Sequence, residues 1–292
     1  MAYYDVYREQ LASLYYGHAL WEPNPAGLYD QVRIGDVGYV RQGHFLRMFN
    51  ALLPANHPMQ GGYGVPPDFV PLNMGEFGNI RTLHLPRGDH CSSAVVRDSG
   101  TGSQIHWQAA GPDEGTHVSF KCRRNKGAFL LLPFNGHRED AIRTKAFETY
   151  IRKHCDSWLE FVFANNFDAK LEDIVLVTGC DRTSSWAMAA FVNCPWDTEI
   201  PITFQITRNA SARFQWPATG QPHNSEPNEN TEMTHCVFIR GFRAKRILPF
   251  YTKMKAFAEH RPDDPDNEPE PSIELVREPD VPEVDTLAFQ HS

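Results

Sequence analysis

The sequence predicts an α+β domain, with a central and mainly antiparallel sheet and a long amphipathic helix packed on it. Two observations carry most of this. Within residues 173–193, two apolar runs at 174–177 and 186–192 flank a polar stretch from Gly179 to Ser185. That pattern predicts a buried hairpin at the centre of a sheet, covered on both faces because its apolar positions are consecutive. Between 141 and 167, apolar doublets recur every four positions (Ala146/Phe147, Tyr150/Ile151, Trp158/Leu159, Val162/Phe163), with Arg143, Lys145, Arg152, Lys153 and Glu160 opposite. A 3.6-residue period of this kind predicts the helix.

The other elements follow in chain order. Tyr4, Tyr7, Leu11, Leu14 and Tyr15 stand at helical spacing before Gly17, predicting a short helix over 5–16. After the turn-forming Pro23-Asn24-Pro25, residues 32–40 read as a strand, and Gln42-Gly43 supplies a turn. The following Phe45, Leu46, Met48 and Phe49 fit a strand or a helix. Residues 54–71, rich in Pro and Gly, read as a long surface loop. Strands are predicted near 93–97 and 104–109, then as a pair at 116–121 and 128–133 around the basic turn Arg123-Arg124-Asn125-Lys126-Gly127. Alternation at 202–206 and 211–216 predicts a second hairpin joined by 208–210, with one face wet. A last strand at 236–242 ends in the basic residues that follow it.

Composition limits the function classes. The chain has 292 residues, and with 41% hydrophobic residues it can build a full core. From Arg261 onward there are ten acidic and two basic residues, which accounts for the whole net charge of -8. The expected layout is therefore one globular domain, 1–260, and a disordered acidic, Pro-rich tail, 261–292. The neutral body gives no basic face for nucleic acid. Six widely spaced cysteines without a CxxC pair, and a first stretch unlike a signal peptide, predict free thiols and a cytoplasmic setting. No apolar run reaches the roughly 20 residues of a membrane helix.

Several motifs resemble chemistry and fail on context. Asp98-Ser99-Gly100 matches one half of an aspartic-protease dyad, but no second copy exists to share the proton. Val175-Leu176-Val177-Thr178-Gly179 imitates the first strand of a dinucleotide site, yet no glycine-rich turn follows. Three His-Cys dipeptides (His90-Cys91, His154-Cys155, His235-Cys236) cannot chelate by themselves on strands, because neighbours there point to opposite faces. No cofactor or metal is implied. The most chemical feature left is the basic run Arg240, Arg243, Lys245 and Arg246, supplemented by Arg123, Arg124 and Lys126. It reads either as a charged strand edge or as a site for an anion, an acidic partner or the chain's own acidic tail, which would then be autoinhibitory.

Four segments carry a family resemblance: 17–23 (GHALWEP), 34–39 with 43–50 (IGDVGY, then GHF and FN), 177–191 (VTGCD with SWAMAAF) and 238–246 (FIRGFRAKR). They resemble an expanded protein family of mushroom-forming fungi. The resemblance spans roughly 17–246 and implies a fungal, intracellular origin and a shared fold, while carrying no catalytic residue across. Element order alone is also similar to the pore-forming domain of gasdermins, which would imply strands that extend into a membrane barrel. The expected function is a non-enzymatic interaction module for a protein or anionic ligand. The alternatives are that pore, and an enzyme with its site near the 179–185 turn.

Overall fold

The computed structural model describes residues 1–25, 31–75, 80–98, 116–206, 212–215, 221–225, 232–247 and 272–277. Its strands, in chain order, are β1 (His18–Ala19), β2 (Asp36–Arg41), β3 (His44–Asn50), β4 (Ile80–Leu85), β5 (Gly88–Cys91), β6 (Val95–Arg97), β7 (Thr116–Cys122) and β8 (Lys126–Leu132). They continue as β9 (Gly136–Ala141), β10 (Ile174–Thr183), β11 (Ala187–Val192), β12 (Glu199–Ile206), β13 (Ala212–Gln215), β14 (Gln221–Asn224), β15 (His235–Ile247) and β16 (Ser272–Arg277). Helix α1 spans Tyr3–Leu11 and α2 spans Thr144–Ala164. Every described strand pair is antiparallel, so the class is α+β with mainly antiparallel sheet.

The strands divide into three sheets. The first runs β1-β15-β10-β2-β3, with β9 joining β10 to β4 and with β16 on β15. The second runs β14-β11-β8-β5 and the third β13-β12-β7-β6. Alternation on β8 shows how they stack. Phe129 and Leu131 pack with Phe120 and Val118 of the third sheet, while Ala128, Leu130 and Leu132 pack with Val6, Tyr7 and Leu11 of α1. The middle sheet is thus covered by helix on one side and sheet on the other, which explains its continuous apolar runs. In the first sheet Ile174 and Leu176 face α2, and Val175 and Val177 face a separate cluster with Leu20, Val32 and Ile239.

The expected central hairpin does not form. Both apolar runs are buried on both faces, but β10 belongs to the first sheet and β11 to the second. Gly179 to Thr183, read as turn, continue β10 and are fully buried, because their charged side chains find ionic partners inside. Residues 116–121 and 128–133 likewise face each other across the sandwich instead of pairing. Helix α2 begins after Ala141, which closes β9. Its C-terminal buried pair is Phe161/Val162, and Phe163, read as a core residue, is 70% exposed. The β12–β13 pairing matches the expected second hairpin from Thr203↔Gln215 to Ile206↔Ala212. Phe45 to Phe49 is strand, closed against β2 by Gln42 and Gly43, both at positive φ. Ser272–Arg277, within the stretch read as disordered, pairs with 242–247 of β15. The Asp98-Ser99-Gly100 triplet, the strand expected at 104–109, the turn at 208–210 and the rest of the tail lie wholly or partly outside the described residues.

The loop after β3 is tied down by a buried polar group. Gln60 accepts from the Asn50 backbone N–H at 2.8 Å and donates to the carbonyls of Asn50 and Leu53. Asn50 in turn donates from Nδ2 to Asp36 at 2.8 Å. Burial pushes the Asp36 carboxyl up to about 6, against the opposing pull of Arg47 and of the hydrogen bonds from Asn50 and Arg33. An unfolded aspartate titrates near 3.9, so this group stabilises the fold most below about pH 4, and that contribution is lost as pH rises toward 6. The expected result is that wild type loses stability relative to Asp36→Asn between pH 4 and 6, and then runs parallel to it; paired denaturant titrations measure the difference.

Candidate anion-binding cleft

Among the described residues two groups of charged side chains stand out, one closed and one open. The closed group centres on Asp181 of β10. Arg138 of β9 grips its carboxylate with two bonds, at 2.9 and 2.6 Å, and Arg240 of β15 donates to it at 2.9 Å. Arg240 also donates to Asp140 at 2.5 Å and to the Tyr16 carbonyl at 2.8 Å, while Arg182 donates to Glu139 at 2.5 Å. Burial works against the Arg240 charge, and Asp181 and Asp140 more than restore it, so its pKa is raised. Gly179 makes room for this arrangement, because a β-carbon there would fall 2.8 Å from Arg240 Nε and closer still to Asp140. Three guanidinium groups meet three carboxylates, and the set is internally neutral.

The open group borders a cleft of about 110 Å³ between α1 and the first sheet. Its walls are Tyr4, Asp5 and Arg8 of α1, His18 of β1, Val40, Gln42 and Gly43 of the β2–β3 hairpin, and Arg243 of β15. Local sequence explains each wall. β1 docks antiparallel on β15 with His18 opposite Ile239. The hairpin tip closes on Trp21, where Gly43 has φ 84° and a β-carbon would lie 2.4 Å from Trp21 Cβ. Glu22 N–H donates to the Gly43 carbonyl at 3.0 Å, fixing the tip. Arg243 is half-buried and its Nη2 approaches His18 Nδ1 at 3.4 Å. Desolvation first, then the charges of Arg243 and Arg8, hold the His18 imidazole down to about 3, so it is neutral at physiological pH. Asp5 lies 3.7 Å from Arg8, an exposed and weak pair. Asp173 also borders the cleft, but its carboxylate accepts from the Lys170 N–H at 3.0 Å.

The residues read as a single basic site are therefore dispersed. Arg240 is 3% exposed and committed to the interior, so it offers nothing to a ligand. Arg243 opens into the cleft. For Lys245 and Arg246 the structure describes the main chain of β15, opposite Glu274 and Ile273 of β16. Arg123 pairs with Asp197 at 2.9 Å and lies 5.5 Å from the Trp196 ring, Arg124 is exposed, and Lys126 Nζ contacts Met1 Sδ at 3.4 Å. Among the described residues, no hydrogen bond or ion pair joins this turn to the β15 segment. His18 and Arg8 were missed as partners of Arg243, although His18 stands in the first segment of the family resemblance. The pairing of β1 with β15 brings His18 to Arg243, and α1 carries Arg8 to the same cleft.

The 179–185 stretch, read as the place of an alternative enzyme site, is buried strand and its closing bend, with Asp181 neutralised by two arginines. Cys180 and Cys236 are buried, and burial pushes both thiols far up, Cys180 to about 12. Among the described residues no group of three or more His, Cys, Asp and Glu side chains is placed to hold a metal, and no helix is long and apolar enough to cross a membrane. No protein-family model, curated protein or solved structure matches the chain.

Proposed function

We propose that the protein is a non-enzymatic interaction module, and that its partner presents a carboxylate or phosphate group to the cleft between α1 and β15. The supporting observation is that Arg243 and Arg8 both line a water-accessible cleft. A guanidinium half-withdrawn from water binds an oxyanion more strongly than an exposed one, because it is less screened and its donors are pre-oriented. Three of the four segments that carry the fungal resemblance border this cleft, through His18, Gly43 and Arg243, which supports reading it as the shared feature of that family. The cytoplasmic setting read from the cysteines belongs to the same proposal.

Sulfate is a suitable probe, since its charge is constant over the working range. Titration calorimetry on the full chain is expected to show sulfate binding that weakens with salt and drops at least ten-fold in Arg243→Gln, the loss of one charge-assisted contact. Binding should stay level from pH 6 to 8, because His18 does not ionise there. No sulfate binding, or equal binding by Arg243→Gln, would remove this reading.

A further inference from the structure

The turn between β7 and β8 and the connection between β11 and β12 are laced main chain to main chain. Cys122 N–H donates to the Thr198 carbonyl at 3.1 Å, Asp197 N–H donates to the Cys122 carbonyl at 2.8 Å, and Cys194 N–H donates to the Asn125 carbonyl at 3.1 Å. Asn193 and Asp197 adopt positive φ, 56° and 65°, to fold the connection over the turn. Two cysteines stand inside this lacing. Cys122 is buried, its Sγ donates to the Arg124 carbonyl at 3.1 Å, and it belongs to the same apolar cluster on which Cys194 packs. Cys194 is half-exposed and borders an open cavity of about 210 Å³ lined also by Val192, Pro195 and Thr198.

We infer that Cys122 and Cys194 form a reversible thiol–disulfide site, oxidised by a low-molecular-weight disulfide that enters through the cavity beside Cys194. This goes beyond the anion reading and uses none of the cleft residues around Arg243. The accessible thiol reacts first. The Cys194 thiolate attacks one sulfur of the reagent, forming a mixed disulfide and expelling one thiolate. Cys122 then gives its proton to solvent and attacks the Cys194 sulfur, the protein disulfide forms, and the second thiolate leaves. Two electrons pass from the protein to the reagent, which is reduced to two thiols. Burial and the neighbouring Cys194 push the Cys122 thiol up to about 12, so the second step is slower at neutral pH than at pH 9.

The bridge would staple the basic turn to the connection that carries Trp196, which is 70% exposed, and Arg123 already spans the two, 5.5 Å from the Trp196 ring and paired with Asp197. Oxidation would thus add a covalent tie to a surface loop pair that reduction leaves held by non-covalent contacts alone. The test uses the native full chain incubated with oxidised glutathione, followed by alkylation and peptide mass spectrometry. The expected result is a 122–194 cross-link at least ten-fold more abundant than any other cysteine pair, reversed by a reducing dithiol. Closure should also raise the unfolding midpoint by roughly 5 °C. Dominance of another pair, with Cys91 as the nearest competitor because it packs on the same cluster, would overturn the inference. So would glutathione retained on Cys194 without resolution. Sulfate binding is expected to be the same in both redox states, so failure here and failure of the anion reading are read separately.

Discussion

Asp181→Ala is expected to cost about 3–5 kcal/mol of folding stability, because it leaves two buried guanidinium groups facing a site with no anion. Arg138 would lose both of its bonds to Asp181, and Arg240 would keep only Asp140 and two carbonyls. Against a typical total of roughly 5–15 kcal/mol, this takes a large share. Asp181→Asn preserves the shape and still removes the charge, so it should fall close to the alanine variant. The double variant Asp181→Ala/Arg138→Met is expected to recover part of the loss, since it deletes one of the stranded cations together with the anion. Chemical denaturation of the four proteins measures this. A cost below about 1 kcal/mol for Asp181→Ala would mean that the network does not hold β9, β10 and β15 together.

Trp158→Ala should destabilise by a similar amount, about 3–5 kcal/mol, for an unrelated reason. Trp158 of α2 is 1% exposed and packs edge-on against Phe49 of β3 at 5.8 Å and beside Tyr150 at 6.0 Å. Its removal leaves a cavity that Phe161, already engaged with Phe49, cannot fill without leaving its own place. Trp158→Phe keeps most of the contact and should cost clearly less. Thermal unfolding followed by far-ultraviolet dichroism compares the two. Equal midpoints for wild type and Trp158→Ala would mean that α2 is not anchored on the first sheet by this residue.

Class and one hairpin pairing were legible from residue patterns, and the ionic interior was not. The alternation on β12 and β13 is local, and it specifies their pairing directly. The Gln42-Gly43 turn was legible too, but the segment after it fits a strand or a helix, and only its pairing with β2 decides. By contrast, β9 reads GHREDA and has no strand signal, because its charges are matched by residues far along the chain. Arg138 meets Asp181 43 positions later and Asp140 meets Arg240 100 positions later. The same cause hid the length of β10: Asp181 and Arg182 look like a turn until their partners are known. The cleft was legible in one residue, Arg243. Its neighbours come from α1, β1 and a hairpin tip, and nothing in their spacing announces that β15 gathers them.

The middle sheet has a consequence for how the molecule opens. β8 and β11 have no wet face, since their alternate side chains go to α1 and to the third sheet, and each strand is paired on both edges. An amide there reaches solvent only if both neighbouring layers separate at once, whereas an amide on β13 needs only one sheet edge to fray. Deuterium uptake should therefore be slowest at 127–131 and 187–191 and should rise steeply toward β13. The polypeptide would then come apart from its outer layers inward, with β8 and β11 the last pair to part.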